Sequence, residues 1–290
     1  MSHDLSFWSA QILHGLQFSM LLFLLSIGLS IIFGLLHFVN LAHGSFYALG
    51  AYCCFSITLW SGSFGLGVLI TPFIVAFIGL LLYLVLIRHM QQTSPMEQVL
   101  VTFGLIFVAL DLTRMIWGDI ALGVDPPDFL KGSFNFLFIE YSSYRLLIII
   151  TGLLVMAVLY LILRYTKAGI IIRACVDNRD MAACLGLDVK KNFIIVFCIG
   201  CALAGLAGAI ALPVFSATTD MGISILIPSF IVVVIGGLGS LKGAVLGSLL
   251  VGFIETFGAI LAPQFASLLI YILLAMVLVF LPKGFFPVRD

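Results

Sequence analysis

Long apolar runs follow one another along this chain, separated by short polar interruptions. A run of about 20 apolar residues crosses a bilayer as a helix, because no water is present there to satisfy backbone groups. On that rule the first span covers about Gln11–Leu36, and apolar character resumes later to end at Trp60. The next spans are about Leu66–Ile87, closed by Arg88-His89 and a polar turn with Pro95, and Val99–Trp117. Leu146–Leu163, Phe193–Leu212, Ala244–Leu261 and Ala266–Leu281 complete the regular series. Gly200, Ala204, Gly208 and Leu212 lie four apart in the sixth span, so its small residues permit close helix contact.

Two hydrophobic segments are broken. Residues 37–52 (HFVNLAHGSFYALGAY) interrupt the apolar pattern without forming a proper loop. Pro228–Ile235 is apolar but short, and Gly236-Gly237-Leu238-Gly239-Ser240-Leu241-Lys242-Gly243 ends it. Taken as a half-span this segment gives eight full spans, and taken as a crossing it gives nine. Charge favours nine, with Lys242, Lys283 and Arg289 all cytoplasmic and the N-terminus outside, whereas length favours eight. The expected fold is an all-α polytopic membrane bundle of eight or nine spans, a single domain over residues 1–290. Broken segments in opposite halves of a chain point to a transport site on internal repeats. Gly44-Ser45 and Gly239-Ser240, each followed by a small-residue apolar stretch, suggest such a repeat weakly. Gly44, Gly236, Gly237, Gly239 and Gly243 are the glycines of the two breaks.

The polar interruptions set the orientation. Residues 164–191 hold six of the 13 Lys and Arg against three acids, which marks the cytoplasmic side. Within that loop Asp177-Asn178 offers capping side chains, Met181, Ala182, Cys184 and Leu185 follow at helical spacing, and Gly186 suits a left-handed stop. That pattern predicts a short helix presented as a docking surface, alongside the plainer reading of an ordinary basic loop. Residues 118–145 carry Asp119, Asp125, Asp128 and Glu140 and read as extracytoplasmic.

Composition agrees with the pattern, at 63% hydrophobic and 9% charged residues, and a net charge of zero suggests no nucleic acid. The run after residue 10 reads as a spanning helix and not as a removed signal peptide. The six cysteines lack metal-ligand spacing and read as small packing residues. No phosphate-binding G-x-x-x-x-G-K-[ST] loop, zinc motif, nucleophile elbow or paired-carboxylate site is present, so the chain alone is not expected to be an enzyme. Asn40, His43 and Ser45 in the first break either line the pathway or tie the broken helix together. Glu255, about 12 residues into a span, must be paired, protonated or wetted. Asp111 and Arg114, at i and i+3, are expected to pair within their helix. His14, His37 and His89 read as polar interface residues.

Three stretches carry a resemblance. Asn40-Leu41-Ala42-His43-Gly44-Ser45-Phe46-Tyr47-Ala48-Leu49-Gly50-Ala51-Tyr52 is similar to the N-terminal signature of bacterial branched-chain amino-acid ABC transporter permeases, more narrowly the LivH-type subunit. Arg173-Ala174-Cys175 through Asp180-Met181-Ala182-Ala183-Cys184-Leu185-Gly186-Leu187 resembles that family's ATPase-contacting loop. Gly236–Ser240 and Gly243–Gly247 match its C-terminal glycine signature. The resemblance implies an importer in which a periplasmic protein captures the solute and two non-identical permeases form the path. Two cytoplasmic ATPase subunits would drive it, so ATP and Mg would sit on partners and no cofactor on this chain. It also implies a coupling helix over Asp177–Gly186, with Met181, Ala182, Ala183, Cys184 and Leu185 as contact area and Arg179 and Asp180 setting orientation. Ser45 stands where many members carry Glu, which leaves urea, amides or related small solutes beside branched-chain amino acids. The competing class is a channel or ion-coupled carrier, but intramembrane acids are few here.

Overall fold

The computed structural model describes residues 2–36, 38–91, 93–136 and 139–286. His37 and Arg289 lie outside them. Helix α1 (Ser2–Leu36) is followed by α2 (His43–Ser61) and α3 (Phe64–Leu82). A π-helical turn, Tyr83–Ile87, carries α3 into a single further turn, α4 (Arg88–Met90). Then come α5 (Pro95–Trp117), α6 (Ser143–Tyr165), α7 (Lys167–Asp177), α8 (Arg179–Cys184) and α9 (Val189–Phe215). Helices α10 (Met221–Gly236), α11 (Leu241–Leu261) and α12 (Ala266–Phe280) complete the bundle. Among the described residues six helices are long and apolar enough to cross a membrane, namely α1, α3 with its extension, α5, α6, α9 and α11. The chain is thus a multi-pass membrane protein. Helices α10 and α12 are shorter and apolar.

Burial sorts these helices into a centre and a rim. Leu22, Phe23, Leu24, Leu25 and Ile27 of α1 are inaccessible, and α9 is buried along its small-residue run from Gly200 to Leu212. Helix α1 packs on α11, α9, α10 and α6, while α2 packs on α9, α3 and α10. The faces of α3, α5 and α6 remain apolar and exposed, through Phe73, Phe77, Leu100, Phe107, Leu154 and Leu161 among others. In a bilayer such faces meet acyl chains, which are as apolar as the side chains themselves.

The first break is shorter than the apolar pattern suggests. Helix α2 begins at His43, so the region that reads as an interruption over 37–52 is mostly helix. Its polar and small residues face the interior, where His43, Gly44, Tyr47 and Tyr52 are buried. In the described break Phe38, Asn40 and Ala42 are buried, and the Thr102 hydroxyl, which donates to the Gln98 carbonyl of its own helix at 2.8 Å, lies 3.4 Å from the Val39 carbonyl.

The second broken segment starts earlier than its apolar run. Helix α10 takes in Met221–Ile227 and continues through Pro228 to Gly236. One end of α10 follows Thr219, whose hydroxyl donates to Asp119 at 2.9 Å, beside a two-way backbone bridge between Leu122 and Ala217. After its other end, Gly239 and Lys242 share a cavity with Arg164 and Arg173 of the basic segment. The helix therefore joins the acidic-loop end of the bundle to the basic end.

Two further expectations are corrected, and one loop gains detail. The acidic loop contains a β-hairpin, β1 (Ser133–Phe136) and β2 (Ile139–Ser142), with Ser133 opposite Ser142. Arg145 beside it donates to the His14 imidazole at 2.7 Å, which ties the loop to α1. Arg114, in the last turn of α5, pairs with Asp119 at 3.3 Å, past the helix end, because the chain turns at Gly118 (φ 84°); Asp111 is exposed. The basic segment holds two helices where one is expected, because Thr166 caps α7 by accepting from Gly169 N at 3.1 Å.

Candidate functional site: an intramembrane carboxylate and a capped basic-end helix

Glu255 sits on α11, half-buried, and its Oε2 is buried with no hydrogen-bond partner among the described residues. Leaving a carboxylate oxygen unpaired in an apolar surrounding costs several kcal/mol, roughly, unless a cation, proton or water meets it. Two adjoining cavities open on that side chain. The larger, about 270 Å³, is walled by Phe18 of α1, Tyr47 of α2, Phe215 of α9, Thr218 and Ser224. The smaller, about 170 Å³, lies toward Ile231, Ile270 and Tyr271. Glu255, Ser224 and Pro228 belong to both. Hydroxyls and apolar rings around one acid suit a small solute with an ammonium group and an apolar body.

Ser216 forms part of the same wall at φ 55°, the one non-glycine with positive φ among the described residues. Left-handed backbone at a Ser costs of order 1–3 kcal/mol and tends to be retained where function needs the geometry. Sequence reading missed Tyr47, Ser216, Thr218 and Ser224. The available signal was a hydroxyl-rich break, Ser216–Asp220, directly after an apolar span.

The residues of the first break go elsewhere. Asn40 is buried with neither side-chain amide atom hydrogen-bonded among the described residues. His43 Nε2 donates to the Leu25 carbonyl of α1 at 3.2 Å, and its Nδ1 has no partner. Ser45 lies at a gap of about 10 Å³ between α2, α5 and α10, room for one water at most. None of these three lines the Glu255 cavities. His43 thus ties α2 to the middle of α1, while Asn40 leaves two buried polar atoms unmet.

The break glycines divide by role. Gly44 lies in the first turn of α2, where an added Cβ would run into the Gly222 carbonyl of α10. Gly236 and Gly243 pack backbone to backbone across the α10–α11 turn. Gly237 (φ 99°) and Gly239 (φ 82°) make the turn itself.

At the basic end, Asn178 caps α8 by accepting from Met181 N at 2.9 Å. Asp177, expected in that helix, is the last residue of α7, since Asn178 takes the extended cap conformation between the two. Gly186 (φ 83°) closes α8, with its N–H and that of Leu187 reaching the Ala183 and Ala182 carbonyls. Ala182 is buried and so faces the bundle, a correction to its expected place on the docking face. Arg179, Asp180, Met181, Ala183, Cys184 and Leu185 are exposed, and Arg179 stacks its guanidinium over Phe193 of α9 at 4.6 Å. That stacking anchors α8 to a spanning helix.

Comparison with known proteins gives one family and several relatives. A family described as the permease component of branched-chain amino acid transport systems matches residues 11–279. A "High-affinity branched-chain amino acid transport system permease protein BraD" from Pseudomonas aeruginosa is 29% identical over 94% of this chain and 94% of its own. The corresponding LivH protein of Salmonella typhimurium is 24% identical over 98% of this chain and 97% of its own. A probable LivH permease of Methanocaldococcus jannaschii is 28% identical over 82% of this chain and 77% of its own. No solved structure matches.

Proposed function

The chain belongs to the family of permease components of branched-chain amino acid transport systems, and on that premise we propose how it works within such an importer. It is a permease subunit and not an enzyme, and ATP hydrolysis falls to other subunits of the ABC system. Those subunits are, in this reading, a second non-identical permease, two ATPases at the basic end and a soluble solute-binding protein at the acidic-loop end. ATP and Mg are held by the ATPases, and the membrane is a bacterial inner membrane.

The observation that supports the mechanism is the buried Glu255 Oε2, without a partner among the described residues, between two cavities near the acidic-loop end. An amino acid delivered there presents an α-ammonium group to Glu255. Its carboxylate meets hydroxyl donors such as Tyr47 and Thr218, and its aliphatic body meets Phe18 and Phe215. Ser45 adds no charge at the small gap between α2, α5 and α10, so the acid that meets a cationic group in this reading is Glu255. At the other end, the exposed face of α8 fits a groove on an ATPase, and its anchor to α9 passes nucleotide-driven motion to the spans.

Uptake of labelled leucine tests this in a strain lacking only this gene, complemented with wild type or Glu255→Gln. Wild type restores ATP-dependent uptake. The Gln variant is expected to reduce uptake at least tenfold at equal membrane abundance. Normal uptake by Glu255→Gln at every pH tested overturns the pathway role. Restoration of urea or amide uptake without leucine uptake overturns the substrate class.

A further inference from the structure

A further cavity lies at the basic end, and none of the residues lining it lines the Glu255 chambers. It has a volume of about 320 Å³ between the end of α1, the α6–α7 corner and the first turn of α11. Its floor is apolar, built from Ile31, Leu163, Ile172, Val176 and Leu241, and its rim carries Arg164, Arg173 and Lys242 against a single acid, Asp177. Arg164 is held in place by the Tyr160 hydroxyl and by the Tyr160 and Tyr165 rings. Arg173 and Lys242 are exposed and have no hydrogen bond or ion pair among the described residues.

The surroundings identify the occupant. Arg164 and Lys242 mark the ends of two spanning helices, so the rim stands at the membrane surface. Helix α7 is amphipathic and leaves Ile170 and the preceding Tyr165 exposed beside its basic residues, as helices that lie in the lipid headgroup layer do. A free anion would use the cations but not the apolar floor, and an apolar tail alone would use the floor but not the cations. We infer that this cavity binds an anionic phospholipid of the leaflet at the basic end. Its phosphate lies between Arg173, Lys242 and Arg164, and the start of an acyl chain covers Ile172 and Leu241. Basic pockets between spanning helices suit such headgroups. Because the lipid would bridge α7 to α11, it steadies the segment that leads into α8.

The test uses the purified full chain in detergent micelles, following thermal unfolding and lipid retention. Phosphatidylglycerol is compared with phosphatidylcholine of the same acyl chains and with inorganic phosphate. Phosphatidylglycerol is expected to be retained and to raise the midpoint by several degrees, with phosphatidylcholine and phosphate leaving it unchanged. Rising NaCl erodes the shift in the wild type, a check that needs no variant. Loss of two surface cations in Arg173→Gln/Lys242→Gln is expected to weaken phosphatidylglycerol binding about thirtyfold. Equal shifts from the two lipids, or a double variant that keeps the full shift, overturn the inference. A shift produced by phosphate alone overturns it in favour of a free-anion site.

Discussion

A methyl group added at Gly44 would strike the Gly222 carbonyl oxygen, and one added at Gly208 would strike that of Tyr47. At both points α2 meets a neighbour backbone to backbone, and no side-chain rearrangement can relieve the contact. Gly44→Ala and Gly208→Ala are therefore each expected to destabilise by about 1–3 kcal/mol, read as a fall of several degrees in detergent unfolding. Gly104→Ala meets nothing and is expected to stay near wild type, within about 0.5 kcal/mol. The sequence shows Gly208 as part of a four-residue rhythm, but Gly222, the partner of Gly44, lies far along the chain and only the fold pairs them. Glu255 was legible for the same reason in reverse. An isolated acid in an apolar run needs no partner to be noticed, whereas Tyr47, Thr218 and Ser224 are ordinary residues until the fold turns them toward one cavity.

Among elements, α8 is the part whose design can be tested directly. Asn178→Ala removes its cap and is expected to cost about 1 kcal/mol of local stability. Ala182→Pro deletes the Ala182 N–H bond to the Asn178 carbonyl (3.0 Å) and breaks the helix. In proteoliposomes of the reconstituted transporter this variant is expected to retain basal ATP hydrolysis while uptake falls at least tenfold. Undiminished uptake in a stably inserted variant rejects the coupling role of α8. The pattern of Asn178, the spaced apolar residues and Gly186 announced this helix because capping is a local affair. Helix α7 went unread since its Ile170–Ile172 run sits between basic residues and resembles neither a span nor a loop. The first break was overestimated because buried polar residues of α2 look the same as loop residues to any count of hydrophobicity.

For the whole molecule, the expected sidedness follows from the basic segment, and its cysteines report it. Cys184 is exposed on α8, whereas Cys175 on α7 is buried and its thiol is pushed above the usual range by that burial. A membrane-impermeant maleimide is expected to label Cys184 in inside-out vesicles, Cys175 far more slowly, and neither in intact spheroplasts. Asp125→Cys in a Cys184→Ser background is expected to give the opposite pattern, and labelling of both sites from one side refutes the orientation. Class and most spans were legible because membrane insertion is written in length and hydrophobicity. The extent of α10 was not, since it begins directly after the polar run Ser216–Asp220, contains Pro228 and ends in a glycine turn. That end has one more property. The Ile235 and Gly236 carbonyls, past the last intrahelical donors of α10, are met by the N–H groups of Phe285 and Phe286, which follow α12. A nascent α10 therefore leaves the translocation machinery with two acceptors still open, and they are met only after α11 and α12 have been synthesised. Completion of this helix is thus a late event in biogenesis, and a ribosome that stalls before Gly284 leaves an unfinished helix end for quality control to find.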